Sequence, residues 1–330
     1  MAEIADGAPE EVPEEAADDV TEQAVVDVAD ELVPRHDVPR GGRSGFTVVD
    51  DRQVHYLEWG GSSSPPVVCL HGGGQTAYMW EQLGAALADR FHVVAPDLPG
   101  HGDSDALRIR GEEQFLDRRA LVAAIRPLMV EFGLERAVFV GASLGGITSL
   151  TLGVMEPDVV EAIVLVDIGH KMEKDGVRRI IEFMTAHESF TDLDEAAAAV
   201  AEYLPRRKDV RVESLRRNLR KRPDGRWEWK HNFGRRIRQR QAEGRTFDIR
   251  RADELVRGMA DDAARLTCPV LVLRGKESDL LSDEGAREIT DLIPNARLSR
   301  IAGAGHHAAG DNPTTTVDLI DEFLTEIAWA

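Results

Sequence analysis

The stretch AVFVGASLGG, residues 137–146, decides the fold of this chain. Its first four residues are apolar and predict a short buried strand, and the apolar spacing in residues 147–155 predicts a packed helix. Between them lies a Gly-x-Ser-x-Gly motif with Ser143 at its centre. Glycines two positions before and after the serine permit a strained turn that lifts its hydroxyl clear of the sheet. The stretch therefore predicts a nucleophilic serine at a strand-to-helix turn.

Strand and helix patterns alternate on both sides of this turn. Runs at residues 67–70, 92–95, 162–166 and 269–273 are apolar apart from His92 and are typical of strands buried on both faces. Such alternation predicts parallel crossovers in a doubly wound α/β sheet. The alternation stops over residues 169–266, where helical stretches predominate. We interpret that segment as a helical cap over the strand ends.

The charge of the chain is concentrated at its start. The net charge is −19 over 330 residues, and residues 1–33 hold twelve acidic and no basic side chains. A segment of this composition is expected to stay disordered. The predicted organisation is a disordered acidic tail at 1–40, a core formed by 41–168 and 267–330, and the cap at 169–266.

Composition also limits the classes of protein to which the chain could belong. No apolar run approaches the ~18–20 residues that cross a bilayer, and the first residues lack the pattern of a secretory signal. The two cysteines, Cys69 and Cys268, occupy apolar strand-like positions and do not suggest a disulfide scaffold. We expect a cytoplasmic protein that does not associate with a membrane. The sequence does not indicate its oligomeric state.

A basic stretch runs from residue 206 to residue 251. It contains eighteen Lys and Arg against six Asp and Glu, with aromatic residues among them. Nucleic-acid binding would need a recognisable motif beside this charge, and none is present. We interpret the stretch as the solvated face of the cap, although its charge could also select an anionic substrate.

Further motifs supply the other parts of a hydrolase. The sequence HGGG at residues 71–74 follows a predicted strand, and its glycines leave backbone N–H groups accessible. The N–H groups of Gly73 and Leu144 are the predicted oxyanion hole, with Gly74 as the neighbouring candidate. Asp279 and His306 follow the last two predicted strands. Their order after the serine is nucleophile, acid, base, and the histidine would take the serine proton during attack.

With these motifs, the chain from about residue 45 onward resembles the α/β-hydrolase superfamily, specifically capped members with an HGxG oxyanion loop. The sequence PDLPGHGDS at residues 96–104 adds to the resemblance. The resemblance implies an eight-stranded, mostly parallel sheet with helices on both faces. It also implies a helical cap between strands 6 and 7, and hydrolysis through an acyl-enzyme.

Rival residues exist for two of the roles. Asp167 also ends a predicted strand, and some members of the superfamily carry their acid there. His307 adjoins His306, but the resemblance places the catalytic imidazole immediately after a glycine. Asp97 and His101 are expected to brace the oxyanion turn, while His170 and His231 are expected at the surface or in a pocket wall.

Serine as the nucleophile restricts the chemistry. Attack of serine on an alkyl carbon would leave an alkyl ether that water does not hydrolyse. Acyl substrates are therefore favoured over halides or epoxides. We predict cleavage of a carboxylic ester or lactone, with hydrolysis of a carbon–carbon bond in a ring-fission or β-diketone-like substrate as the alternative. A non-catalytic ligand receptor is the competing class. No metal-ligand spacing or dinucleotide motif is present, so no cofactor is expected. The predicted pocket walls are Trp80, Trp227, Trp229 and Phe233.

Overall fold

The computed structural model describes residues 38–109, 112–113, 117–207, 212–244, 249–327 and 329. The predicted acidic tail therefore lies almost wholly outside the described residues, as do parts of the basic stretch. Within the described part of the chain, no helix is long and apolar enough to cross a membrane.

The main sheet has eight strands. Numbered along the chain, they are β1 Arg43–Val49, β2 Arg52–Trp59, β3 Pro66–Leu70, β4 His92–Pro96, β5 Ala137–Ala142, β6 Val160–Val166, β7 Val270–Gly275 and β8 Ala296–Ile301. Their order in the sheet is β1-β2-β4-β3-β5-β6-β7-β8. β2 pairs antiparallel with both of its neighbours, and the remaining neighbours pair parallel. The predicted eight-stranded, mostly parallel sheet is thus confirmed.

Helices connect most of the strands. Short 3-10 turns at Ala77–Trp80 and Pro157–Val159 lead into the helix Glu81–Leu87 and into β6. Local chemistry starts several of the helices. The side chain of Asn312 accepts the N–H of Thr315, and Pro313 supplies a first position that needs no donor. The helices are α1 Glu81–Leu87, α2 Arg118–Glu131, α3 Leu144–Met155, α4 Lys174–Ala186, α5 Leu193–Tyr203, α6 Val212–Leu215, α7 Phe233–Ala242, α8 Ile249–Val256, α9 Met259–Ala263, α10 Asp283–Leu292, α11 Ala308–Asp311 and α12 Pro313–Glu326.

The core lies on both faces of the sheet because successive strand residues point to opposite sides. In β3, Val68 and Leu70 join the cluster that contains residues of α2 and α3. Val67 and Cys69 join the cluster that contains residues of α1 and α12. The strands are consequently apolar at consecutive positions, which explains the continuous apolar runs in the sequence.

The insertion, residues 169–266, joins β6 to β7 and holds α4 to α9. It also contains an antiparallel strand pair, Leu219–Lys221 with Trp227–Trp229. The sequence pattern predicts mostly helix over residues 169–266, so this strand pair is a departure from that prediction. The pairing is completed by Gly225, whose positive φ of 84° closes the turn between the two strands.

Candidate active site

Ser143 lies at the turn between β5 and α3. Its φ of 47° is unusual for a residue with a side chain, and such backbone strain typically costs ~1–3 kcal/mol. A Cβ atom on Gly141 or Gly145 would come within 2.4 Å or 2.1 Å of backbone atoms. Only glycine fits at either position. The Ser143 N–H donates to the carbonyl oxygen of Val166 at 3.1 Å, which ties the turn to the end of β6.

His306 forms a hydrogen bond with Asp167, the residue that follows β6. The His306 Nδ1 atom lies 2.9 Å from Asp167 Oδ2. The Asp167 carboxylate is fully buried and also accepts from the Gly275 N–H at 2.9 Å and from the Ser278 hydroxyl at 2.5 Å. Because Nδ1 faces the carboxylate, the Nε2 atom of His306 is the one left for proton exchange.

Asp279, which the sequence predicts as the acid, has a different partner. Its carboxylate pairs with Arg179 of α4, with Oδ2 3.1 Å from Arg179 Nη2, and a third of its side chain is exposed. Within the described part of the chain, no hydrogen bond joins Asp279 to His306. The contact expected between Asp279 and His306 is therefore corrected to one between Asp167 and His306.

The geometry of the loop after β7 explains the difference. Ser278 turns its hydroxyl inward to Asp167, and that hydroxyl also receives the N–H groups of Leu280 and Leu281 at 3.2 Å. The next residue along the chain, Asp279, faces the opposite way, toward α4. Its backbone lies so close to α4 that a Cβ on Gly176 would come within 2.3 Å of it.

The HGGG turn presents its backbone beside Ser143. The N–H of Gly72 is occupied by Gln75 Oε1 at 3.1 Å, and the carbonyl of Gly72 receives His71 Nδ1 at 2.8 Å. Gly73 is left facing the cavity that holds Ser143. Leu144 is the first residue of α3, where an N–H has no acceptor within the helix.

The loop after β4 braces this turn through buried polar contacts. His71 Nε2 accepts the Leu98 N–H at 2.9 Å, and burial lowers the pKa of His71, which keeps the ring neutral. Asp97 accepts from the Ala77 N–H and from His55 Nδ1, each at 2.7 Å. Burial by itself would raise the pKa of Asp97. The hydrogen bond from His55 and the other donors together outweigh this effect, so the pKa of Asp97 is lowered.

One group of side chains in the brace has the donor types that can bind a metal ion. Among the described residues, His55, Asp97 and Asp103 are close enough together to share an ion. The His55–Asp97 bond and the Lys230 ammonium, 2.6 Å from Asp103, already occupy this group. The arrangement is that of a hydrogen-bonded brace.

A compact apolar cavity of about 90 Å³ contains Ser143 and His306 in its wall. Phe233 of α7 contributes to the wall and lies against Gly73, where a Cβ would approach its ring to 3.5 Å. The insertion thus reaches the site directly. The remaining apolar lining consists of Leu144, Ile147, Met172, Val177, Ile180, Ile181, Met184, Leu255 and Leu280.

Two of the four predicted wall residues lie away from the cavities beside Ser143. Trp80 is 1 % exposed and belongs to the core on the α1 and α12 face of the sheet. Trp227 packs in the cluster around Phe190 inside the insertion. Those two positions are corrected, because aromatic composition does not reveal which cavity a side chain faces. Trp229 also packs in that cluster, but it lines an adjoining cavity of about 670 Å³ together with Gly73. Phe233 lines the Ser143 cavity itself.

The remaining histidines are held in distinct ways. His307 Nδ1 lies 3.2 Å from Gln75 Nε2, and burial, His306 and two arginines lower the pKa of His307 well below its usual range. His170 lies 3.4 Å from Glu288. His231 pairs through its backbone with His101. Sequence reasoning gave no role to Gln75 or Ser278, since neither belongs to a recognisable motif.

Comparison with known proteins agrees with this architecture. A family model described as alpha/beta hydrolase fold matches residues 65–313. The esterase Rv0045c of Mycobacterium tuberculosis is 28% identical over 282 residues, which covers 82% of this chain and 86% of that protein. The 2-(acetamidomethylene)succinate hydrolase of Mesorhizobium japonicum is 26% identical over 263 residues, covering 79% of this chain and 88% of its own length.

A solved structure shows the same similarity. The crystal structure of the M. tuberculosis esterase superimposes with a TM-score of 0.65 at 27% sequence identity. The match covers 86% of this chain and 91% of that one. The likeness therefore extends over most of the chain and is not confined to the motifs.

Proposed function

The chain belongs to the α/β-hydrolase fold family, and from that premise we propose that it is a serine hydrolase of carboxylic esters or lactones. Ser143 is the nucleophile, His306 the general base and acid, and Asp167 the residue that orients His306. The observation that carries the proposal is the 2.9 Å contact between His306 and the buried Asp167, on the wall of the cavity that also holds Ser143.

The reaction proceeds in two steps. His306 Nε2 takes the proton of Ser143 as its oxygen attacks the acyl carbon, and the imidazolium then protonates the departing alcohol. Water next attacks the acyl-enzyme with the same histidine as base, which releases the acid and restores the serine. The Asp167 carboxylate holds the Nδ1–H tautomer and stabilises the positive charge that develops on the ring.

The tetrahedral oxyanion is stabilised by the N–H groups of Gly73 and Leu144. Gly72 cannot serve because its N–H already donates to Gln75. The N-terminus of α3 adds a favourable dipole to the negative charge. A pair of fixed donors of this kind typically contributes the largest part of the rate enhancement in acyl transfer.

The cavity wall supports a compact, uncharged acyl group. Its side chains are apolar apart from Ser143, Gln75, Tyr203 and the two histidines, so an ionised acyl chain would lose its hydration there without a counter-charge. We infer that the insertion serves as a cap, since α4 and α7 supply much of this wall. The name of the mycobacterial relative, an esterase, supports an ester over other acyl substrates.

Active-site labelling tests the proposal. A fluorophosphonate probe is expected to label the wild-type protein and not the Ser143→Ala variant, with matched thermal melting to show that both are folded. Absence of labelling of the folded wild type would support a non-catalytic ligand receptor.

A substrate panel then sorts the reaction class. We expect kcat/KM to be highest for short p-nitrophenyl esters or lactones, compared with long-chain esters and a ring-fission dienoate. Preference for the dienoate would move the assignment to carbon–carbon bond hydrolysis.

A further inference from the structure

Gln75 connects the oxyanion turn to the loop that carries His306. Its Oε1 accepts the Gly72 N–H at 3.1 Å, and its Nε2 lies 3.2 Å from His307 Nδ1. We propose that Gln75 and His307 form a positioning bridge that sets the oxyanion donors at a fixed distance from the catalytic imidazole. This inference rests on the proposed function and assigns a role to two residues outside the triad.

The direction of each hydrogen bond in the bridge follows from its chemistry. A backbone N–H can only donate, so the Gln75 atom that faces Gly72 must be the carbonyl oxygen. The Gln75 amide nitrogen then faces His307 and donates, which makes His307 Nδ1 an acceptor. Neutral His307 therefore carries its proton on Nε2, the opposite tautomer from that imposed on His306 by Asp167.

Both ends of the bridge are anchored by the backbone. At one end, the Gly72 carbonyl receives the Gln75 N–H at 3.2 Å, which closes the turn around the side-chain contact. At the other end, the His307 carbonyl receives the N–H groups of Gly310 and Asp311 at 2.8 and 2.9 Å. The Asp311 carboxylate in turn accepts the Gly305 N–H at 2.9 Å. A shift of either loop would thus have to break the bridge or carry the other loop with it.

A histidine at position 307 is energetically unfavourable if its role is only structural. Within the described part of the chain, its buried Nε2 has no hydrogen-bond partner. An apolar side chain would fill the same space without burying an unpaired donor, so stability alone does not favour histidine here. The Nδ1 contact with Gln75 is the interaction that histidine supplies and an apolar residue cannot.

Kinetics of bridge variants test the proposal. Gln75→Ala and His307→Leu are each expected to lower kcat for a p-nitrophenyl ester on the order of tenfold, less than the loss of an oxyanion donor itself. Both side chains also line the cavity, so KM is expected to shift as well, but by a smaller factor than kcat because the bridge acts on the transition state. The inhibition constant of a trifluoromethyl ketone, which forms a tetrahedral adduct, should rise in parallel with the fall in kcat.

A conservative variant and a double variant distinguish a positioning role from a general loss of structure. His307→Asn keeps an acceptor near the Nδ1 position and should retain kcat within about threefold of wild type, a difference of about 0.6 kcal/mol. The double variant Gln75→Ala/His307→Leu should be no slower than the worse single variant, because both remove one bridge. Gln82→Ala, the same change at an exposed position on α1, is the matched control. Wild-type kcat in both single variants, or His307→Asn as slow as His307→Leu, would overturn the bridge.

Nuclear magnetic resonance reads the bridge whether or not the protein hydrolyses esters. Imidazole ¹⁵N shifts should show His307 neutral with its proton on Nε2, and exchange of the Gly72 amide should accelerate in Gln75→Ala. A proton on His307 Nδ1 would refute the bridge even in an active enzyme. Absence of fluorophosphonate labelling together with the expected shifts would refute the hydrolase assignment and leave the bridge intact.

Discussion

The loops at the strand ends and the insertion border the same cavity but contribute different chemistry. The strand-end loops hold Ser143, Asp167 and His306 through backbone anchors and buried hydrogen bonds. The insertion supplies apolar side chains such as Ile181 and Phe233. Parallel strands bring their carboxyl ends to one edge, so residues distant in sequence converge there with little freedom. The two regions can therefore be tested separately.

The two carboxylates at the strand ends give the largest expected contrast. Asp167→Asn should lower kcat by about 10⁴-fold, because an amide cannot hold the required tautomer of His306. Asp279→Asn should change kcat by less than about threefold, since it removes only a partly exposed ion pair with Arg179. Steady-state kinetics on p-nitrophenyl esters, with melting temperatures as the control for folding, will measure both. A severe loss in Asp279→Asn alone would reverse the assignment.

Ser278 is the next strongest test of the strand-end region. Hydrogen bonds to charged groups are worth about 1.5–3 kcal/mol, so Ser278→Ala should lower kcat/KM by roughly tenfold or more. Ser278→Thr keeps a hydroxyl and should preserve most of the activity. Equal activity in both variants and wild type would show that Asp167 does not depend on this donor.

Phe233 tests the contribution of the insertion. Phe233→Leu should lower kcat/KM for a butyrate ester by less than about tenfold and affect an acetate ester less, because the change removes apolar contact with the acyl chain. Phe190→Leu, the same change in the cluster inside the insertion, should alter stability without altering this ratio. An unchanged ratio in Phe233→Leu would remove Phe233 from the substrate wall.

The pH dependence of stability tests the contact that His101 makes between the strand-end loops and the insertion. Its backbone pairs with His231 of the insertion, and burial lowers the pKa of His101 to about 3, with His71 and His231 adding to the effect. The unfolded chain takes up a proton below about pH 6.5 and the folded chain does not, so this contribution to the free energy of unfolding falls as pH drops from 6.5 toward 3. His101→Gln should make the fall shallower by up to about 1.4 kcal/mol per pH unit. Urea unfolding at pH 7 and pH 5 measures the slope, and an identical slope in the variant would contradict the prediction.

Sequence patterns were sufficient where a physical constraint admits a single residue type. Gly141 is required by contacts within the turn and Gly145 by the backbone of Leu70 at the end of β3. Because only glycine fits at both positions, the motif predicted the position of Ser143. The apolar runs predicted the sheet because a strand buried on both faces must be apolar throughout. Loops without such constraints were less predictable, and the strand pair at Leu219–Lys221 was missed.

Only the tertiary structure decided which side chains face one another. Asp167 and Asp279 both follow strands whose ends meet at one edge of the sheet, and the sequence could not show which of them turns inward. Asp167 does so from a backbone with φ of 50°, and Ser278 takes the inward position in the next loop. Likewise, Gln75 and His307 are 232 residues apart and meet only because the folded sheet brings their loops together. The sequence thus determined the architecture and the position of Ser143 at its turn, while loop geometry decided which side chains lie beside it.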